Sequence, residues 1–259
     1  MRIQSKAKVT VRHITIGGPE VLICMPLMAA GSSSLLQQAK EMATLEPDLL
    51  EWRIDGFDGV ESLCASLAVL EALRRQIGST PLIFTCRIEA EGGAAKIDQE
   101  HRLNLINAAI LSGHVDIVDV EMCNESAFIA SVRSESKARG TKLILSYHDF
   151  QRTPPEEFIF DKLKQAQSLG ADIAKLAVMP KGYEDVLTLL KATLRARTHG
   201  VQIPIVTMAM GHMGSVTRIA GGLFGSDITF AMGEDASAPG QIPIERLRNA
   251  MQVVYDSSS

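Results

Sequence analysis

One pattern repeats along the chain: a short apolar run rich in β-branched residues, then a longer segment whose apolar positions recur at helical spacing. The short runs fall at 21–25, 49–53, 82–87, 115–121, 142–148, 172–179, 205–210 and 227–231. Helical segments follow at 33–44, 59–77, 99–111, 124–138, 155–169, 183–197, 215–221 and 244–255. Strict alternation of strand and helix implies a parallel sheet with right-handed crossovers. Eight such units close into a (β/α)8 TIM barrel, with an open doubly wound sheet as the alternative. The length, 259 residues, suits one barrel of about 250 residues, so 1–259 reads as a single catalytic domain. Pro47, Pro81 and Pro204 stand at strand entrances, and Gly78, Gly113, Gly140, Gly170 and Gly200 follow helices as capping glycines do. Residues 9–16 alternate apolar and polar, which predicts an extra strand or hairpin over the lower mouth of the barrel. The serine tail at 257–259 reads as disordered.

Composition narrows the function classes. A net charge of −4 gives no electrostatic reason to expect a nucleic acid. No run of 18 apolar residues is present, so no membrane span is expected. Cys24, Cys64, Cys86 and Cys123 form no C-x-x-C pair and read as reduced thiols, which with no signal-peptide core suggests the cytoplasm. The six histidines form no metal-ligand pattern, and no cofactor motif appears.

Chemistry in a barrel gathers at the C-terminal ends of its strands. There the second run ends in Glu51 and Arg53, the third in Arg87, the fourth in Asp119 and Glu121, and the fifth in His148. Lys175 lies inside the sixth run, apolar on both faces, and is buried whichever way it points. A buried ammonium without a partner loses its proton more readily, and a neutral amine attacks a carbonyl. Alternatively Lys175 is a structural charge paired with Asp119 or Glu121. His148, one strand over, suits a general acid/base, and Glu91 could fix its tautomer. Arg218, early in the seventh helical segment, suits a carboxylate, or is a solvated helix-face residue. Arg53 and Arg87 either bond hydroxyls or pair with Glu51 and Glu121.

Several stretches together resemble a known family: Glu51-Trp52-Arg53-Ile54-Asp55, Phe84-Thr85-Cys86-Arg87 with Glu91-Gly92-Gly93, and Ser146-Tyr147-His148-Asp149-Phe150. Ala171–Lys175, Met208–Arg218 and Ala236–Gln241 complete the set. In order and spacing they are similar to the type I 3-dehydroquinate dehydratases from about residue 21 to 250. The resemblance implies dehydration of 3-dehydroquinate to 3-dehydroshikimate in the shikimate pathway, without a cofactor. It implies Lys175 as the imine-forming residue, His148 as acid/base and Glu91 as its assistant. It further implies Arg218 and Gln241 at the substrate carboxylate, and Glu51, Arg53, Arg87 and Ser237 at hydroxyls or a closing loop. Met208, Met210 and Phe230 would be apolar walls, and the protein a homodimer. Residues 232–241, small and glycine-rich, read as that loop. The competing enzyme class is a Schiff-base aldolase acting on another keto acid.

Overall fold

The computed structural model describes residues 2–233 and 238–255. An antiparallel hairpin comes first, β1 (Val9–Val11) and β2 (Ile14–Ile16). Then β3 (Leu22–Leu27), β4 (Leu49–Arg53), β5 (Leu82–Thr85), β6 (Ile117–Glu121), β7 (Lys142–Asp149), β8 (Ile173–Val178), β9 (Ile205–Ala209) and β10 (Ile228–Met232) alternate with helices. The helices are α1 (Ser32–Ala43), α2 (Leu63–Ile77), α3 (Gln99–Leu111), α4 (Ser126–Arg139), α5 (Glu156–Ser168), α6 (Tyr183–His199), α7 (Ser215–Ala220) and α8 (Ile244–Tyr255). A two-residue strand, β11 (Ile242–Pro243), lies parallel to the end of β10.

Each strand from β3 to β8 pairs in parallel with the next, and β10 returns to pair with β3. That return makes the sheet a barrel and removes the open doubly wound alternative. The last seam, β9 to β10, is the sparsest. The Asp227 amide donates to the Ile205 carbonyl at 2.7 Å, and the Asp227 carboxylate accepts from the Ile205 amide at 2.7 Å. Arg2 and Arg197 both pair with that carboxylate, so the N-terminal segment fastens the seam.

Local sequence explains the boundaries that differ from expectation. α2 begins at Leu63 rather than 59 because Ser62 caps it, its hydroxyl accepting from the Ala65 amide at 3.3 Å. Asp98 caps α3 by accepting from Glu100 and His101 amides at 2.8 and 3.1 Å. The third run leaves the ladder after Thr85, so Cys86 and Arg87 extend beyond the sheet.

Alternation along each strand sorts the core into two layers. Met25, Leu50, Trp52, Phe84, Val118, Leu145, Leu176 and their neighbours pack outward under the helices. The axis-facing residues Leu22, Leu49, Ile83, Ile117, Ile144, Ile173, Val206 and Ile228 pack against Val9, Val11, Ile14 and Ile16. The hairpin thus plugs the lower mouth, as the alternation at 9–16 predicted. Each buried aliphatic side chain there contributes about 1.5–3 kcal/mol relative to exposure. Among the described residues, no helix is long and apolar enough to cross a membrane.

Candidate active site

Side chains two apart on a strand share a face and stand about 6–7 Å apart along it. The axis-facing series on β8 therefore runs Ile173, Lys175, Ala177, and on β7 Ile144, Ser146, His148. On β6 it runs Ile117, Asp119, Glu121, and on β4 Leu49, Glu51, Arg53. One step above the apolar plug, every one of these strands changes to a polar residue.

Lys175 is 5% exposed. Its Nζ lies 2.8 Å from Asp119 Oδ2, 3.3 Å from Glu51 Oε1 and 4.6 Å from the centroid of the Phe230 ring. This corrects the expectation of a buried ammonium without a partner: two carboxylates and an aromatic face receive it. Asp119 is the expected structural partner, whereas Glu121 is taken by arginines. The pairing does not withdraw the amine from the strand-end cavity, which Lys175 lines together with His148, Arg218 and Phe230.

A charge-balanced cluster surrounds the amine. Arg87 Nη1 donates to Glu121 Oε1 and Ser146 Oγ, both at 2.8 Å, and Nη2 lies 3.0 Å from Asp119 Oδ1. Arg102, from α3, donates to Glu121 Oε2 at 2.7 Å and to the Cys86 carbonyl, with its guanidinium over the Phe128 ring. Glu51, Asp119 and Glu121 thus face Lys175, Arg87 and Arg102, three acids against three bases, which is how buried charges become tolerable. Burial disfavours the Asp119 anion, but Arg87 and Lys175 outweigh it and hold the carboxyl far below the usual carboxylate range. Burial likewise opposes the Arg87 cation, and Asp119 and Glu121 outweigh it, raising that guanidinium above its ordinary value.

His148 is tied to Glu91 twice, its amide donating to Oε2 at 2.9 Å and its ring Nδ1 lying 3.0 Å from the same oxygen. With a carboxylate as partner, Nδ1 carries the proton and Nε2 is left with its lone pair. Burial, reinforced by Arg87 and Lys175, holds this imidazole well below the usual histidine range. It is therefore neutral, and a base, at neutral pH. Burial pushes the Glu91 carboxyl up to about 7, with Arg87 opposing.

Arg218 sits within α7 and is 1% exposed. Its guanidinium meets only weak partners: Nη1 donates to the Phe230 carbonyl at 3.3 Å and Nη2 to the Pro239 carbonyl at 3.2 Å. It is the one buried arginine with no acidic partner among the described residues, and burial lowers its pKa to about 10. The helix-face alternative for Arg218 is thereby removed. Thr217 anchors its turn, the hydroxyl donating to the Gly214 carbonyl at 2.7 Å and accepting from the Ala209 amide at 3.0 Å.

Arg53 is held in a two-pronged pair with Asp55 at 2.9 and 2.8 Å and also donates to the Gly92 carbonyl. Both strand-end arginines are therefore ion-paired, Arg53 with Asp55 and Arg87 with Asp119 and Glu121, rather than with Glu51. Gln241, Met208 and Met210 line the same cavity. Ser237 lies outside the described residues, as does the serine tail. The space left is about 50 Å³, because residues 238–241 sit over it: the Gly211 amide donates to the Pro239 carbonyl at 3.0 Å. Gly211 and Gly240 both adopt left-handed backbone, φ 71° and 76°, and a Cβ on Gly240 would stand 2.1 Å from the Gly211 carbonyl oxygen. A larger surface groove of about 590 Å³, between α1 and the start of α8, carries no such set of charged groups.

Sequence reading offered Asp119 and Glu121 only as pairing carboxylates and left Ser146, Asp55 and Arg102 without a role. Period two already put Asp119 and Glu121 on one face of their strand. Asp55 ties the loop after β5, accepting from the Arg87 amide at 3.1 Å and the Ala94 amide at 2.9 Å, and only its place in a motif marked it. Arg102, at the first turn of α3, left no signal.

A family model described as Type I 3-dehydroquinase matches residues 23–258. A 3-dehydroquinate dehydratase from Geobacillus thermodenitrificans is 43% identical over 255 residues, covering 98% of each chain. The crystal structure of 3-dehydroquinate dehydratase from Geobacillus kaustophilus superposes with a TM-score of 0.96 at 43% identity, over 100% of both chains. A type I 3-dehydroquinate dehydratase from Clostridium difficile, with covalently modified comenic acid, gives a TM-score of 0.93 at 37% identity, covering 96% of this chain and 98% of that one.

Proposed function

This chain belongs to the type I 3-dehydroquinase family, whose members dehydrate 3-dehydroquinate to 3-dehydroshikimate through a lysine Schiff base, and from that premise we propose how its own residues divide the work. The carrying observation is Arg218, a buried guanidinium with no acidic partner among the described residues. A substrate carboxylate supplies the missing charge, with Gln241 beside it. Anchored there, the ring presents its ketone toward Lys175 across the cavity.

Lys175 sheds one proton as it adds to the ketone, that proton and a second leave with the ketone oxygen as water, and the third stays on the nitrogen of a protonated imine. The imine draws electrons from the adjacent carbon, and His148 Nε2 removes a proton from it. Glu91 steadies the imidazolium that results. The enamine then expels the hydroxyl, which takes its proton from His148, and hydrolysis of the product imine frees Lys175. Glu51 and Arg53 meet the substrate's hydroxyls, and Arg87 orders the carboxylates around the amine while facing the same cavity. Met208, Met210 and Phe230 form the apolar wall. Residues 238–241 act as the closing edge of a lid, with Ser237 as a further contact from it.

In this reading residues 1–259 form a single catalytic domain, working in the cytoplasm as a homodimer. Light scattering at assay concentration checks the dimer. The aldolase alternative is set aside by the family assignment. The decisive experiment is incubation with 3-dehydroquinate, following the conjugated enone absorbance, then borohydride reduction and peptide mapping. A substrate-dependent adduct on Lys175 is expected, and its absence removes the imine mechanism.

A further inference from the structure

Asp119 takes no step in that sequence, yet its Oδ2 is 2.8 Å from the reacting nitrogen, nearer than Glu51 at 3.3 Å. Its other oxygen is fixed from the protein side, accepting from Ser146 Oγ at 2.6 Å and lying 3.0 Å from Arg87 Nη2. The residue is 1% exposed. One oxygen is therefore committed to the scaffold and the other to Lys175. Glu51 is arranged differently, since the oxygen it turns to Lys175 also accepts from Thr85 Oγ1 at 2.8 Å.

Imine formation conserves charge at this nitrogen. An ammonium and a ketone become a protonated imine and water: the new C=N bond replaces C=O, two N–H protons leave with the ketone oxygen, and one proton stays. A fixed anion that matches the ammonium therefore also matches the iminium. We propose that Asp119 is the standing counter-ion of the imine nitrogen, holding Lys175 at rest and keeping the imine protonated once formed, and is thus a further catalytic residue of this reaction. The proposal rests on the imine reading of Lys175. A protonated imine is a far better electron sink than a neutral one. Arg87 and Lys175 keep the Asp119 carboxyl ionised against burial, so it holds the proton on nitrogen without taking it. When His148 accepts the carbon proton, the positive charge moves to the imidazole beside Glu91, and the sum of charges in the site is unchanged.

The test is single-turnover borohydride trapping with 3-dehydroquinate, read as intact mass, on the wild-type enzyme and Asp119→Asn. In the variant the adduct is expected to form roughly 100-fold more slowly, with kcat falling by a similar factor and KM within about threefold. Asp119→Glu should restore part of the trapping rate, which a purely structural role would not require. A folded Asp119→Asn enzyme, by circular dichroism, that traps at the wild-type rate overturns the proposal. If that variant does not fold, Ser146→Ala decides, because it keeps the charge and removes the 2.6 Å hydrogen bond. Trapping slowed about 3- to 10-fold is expected there, and an unchanged rate overturns the assignment. A wild-type enzyme that traps no adduct brings down the imine reading itself, an outcome distinct from a variant that traps normally.

Discussion

At the lower mouth Leu49, Ile117, Ile144 and Ile173 close over Val11, Ile14 and Ile16 of the hairpin. One axial step along the same strands stand Glu51, Asp119, Ser146 and Lys175. The lower layer asks only for shape and apolar area, so its residues are interchangeable within packing limits. The upper layer buries charge, and each charged group there is placed by a specific partner. Among the described residues Arg218 is the exception, and an unmatched cation in a matched cluster is where an anion belongs. Damage below should therefore appear as lost stability and damage above as lost chemistry.

The largest expected effect lies at the centre of the upper layer. Lys175→Ala should lower turnover by roughly 10⁴-fold or more and abolish borohydride trapping, with circular dichroism still reporting a folded barrel. A near-normal rate would break the assignment. Next comes Arg218→Met, expected to lower kcat/KM by roughly 10- to 100-fold, mainly through KM, as loss of a charge-assisted hydrogen bond predicts. Its thermal midpoint should hold or rise, because a buried unpaired guanidinium is gone. An unchanged KM would place the carboxylate elsewhere.

Glu91→Gln sharpens the comparison through pH. Because burial holds the Glu91 carboxyl up to about 7, the ionised partner of His148 is lost as pH falls through that value. His148 titrates well below the usual histidine range, so its own protonation belongs to a lower limb. The wild-type kcat should thus rise through pH 7, whereas the glutamine variant should run flat there at about one tenth of the plateau. Persistence of the limb in that variant would assign the titration to another group. The smallest effect on activity should come from below: Ile16→Ala ought to cost about 2–4 kcal/mol in denaturant unfolding while kcat/KM stays within about twofold. A large loss of rate would show that the hairpin does more than plug the barrel.

The barrel was legible because each strand carries its own record of burial. Lys175 sits in a run apolar on both faces, and the alternation at 9–16 marks a hairpin with one dry side. β11 was not legible, since two residues are too few to carry an alternation of their own. The site was legible by strand end but not by distance. Period two puts Asp119 and Glu121 on one face of their strand but leaves the direction of Lys175 open, and which acid meets the amine depends on reach across the barrel from β4 and β6 to β8. That reach also separates Asp119, which touches Lys175, from Glu121, which is drawn away by Arg87 and by Arg102 from a helix whose own pattern gives no hint. Glu91 had no periodic signal, because it lies in a short turn beyond β5, and only its motif marked it.

Gly211 and Gly240 meet backbone to backbone above the arginine that awaits an anion. A single added methyl on the second would act as a doorstop, wedging residues 238–241 away from Gly211. The fit of that roof is thus written in the lack of side chains, and an alanine at this spot would have to push the two backbones apart.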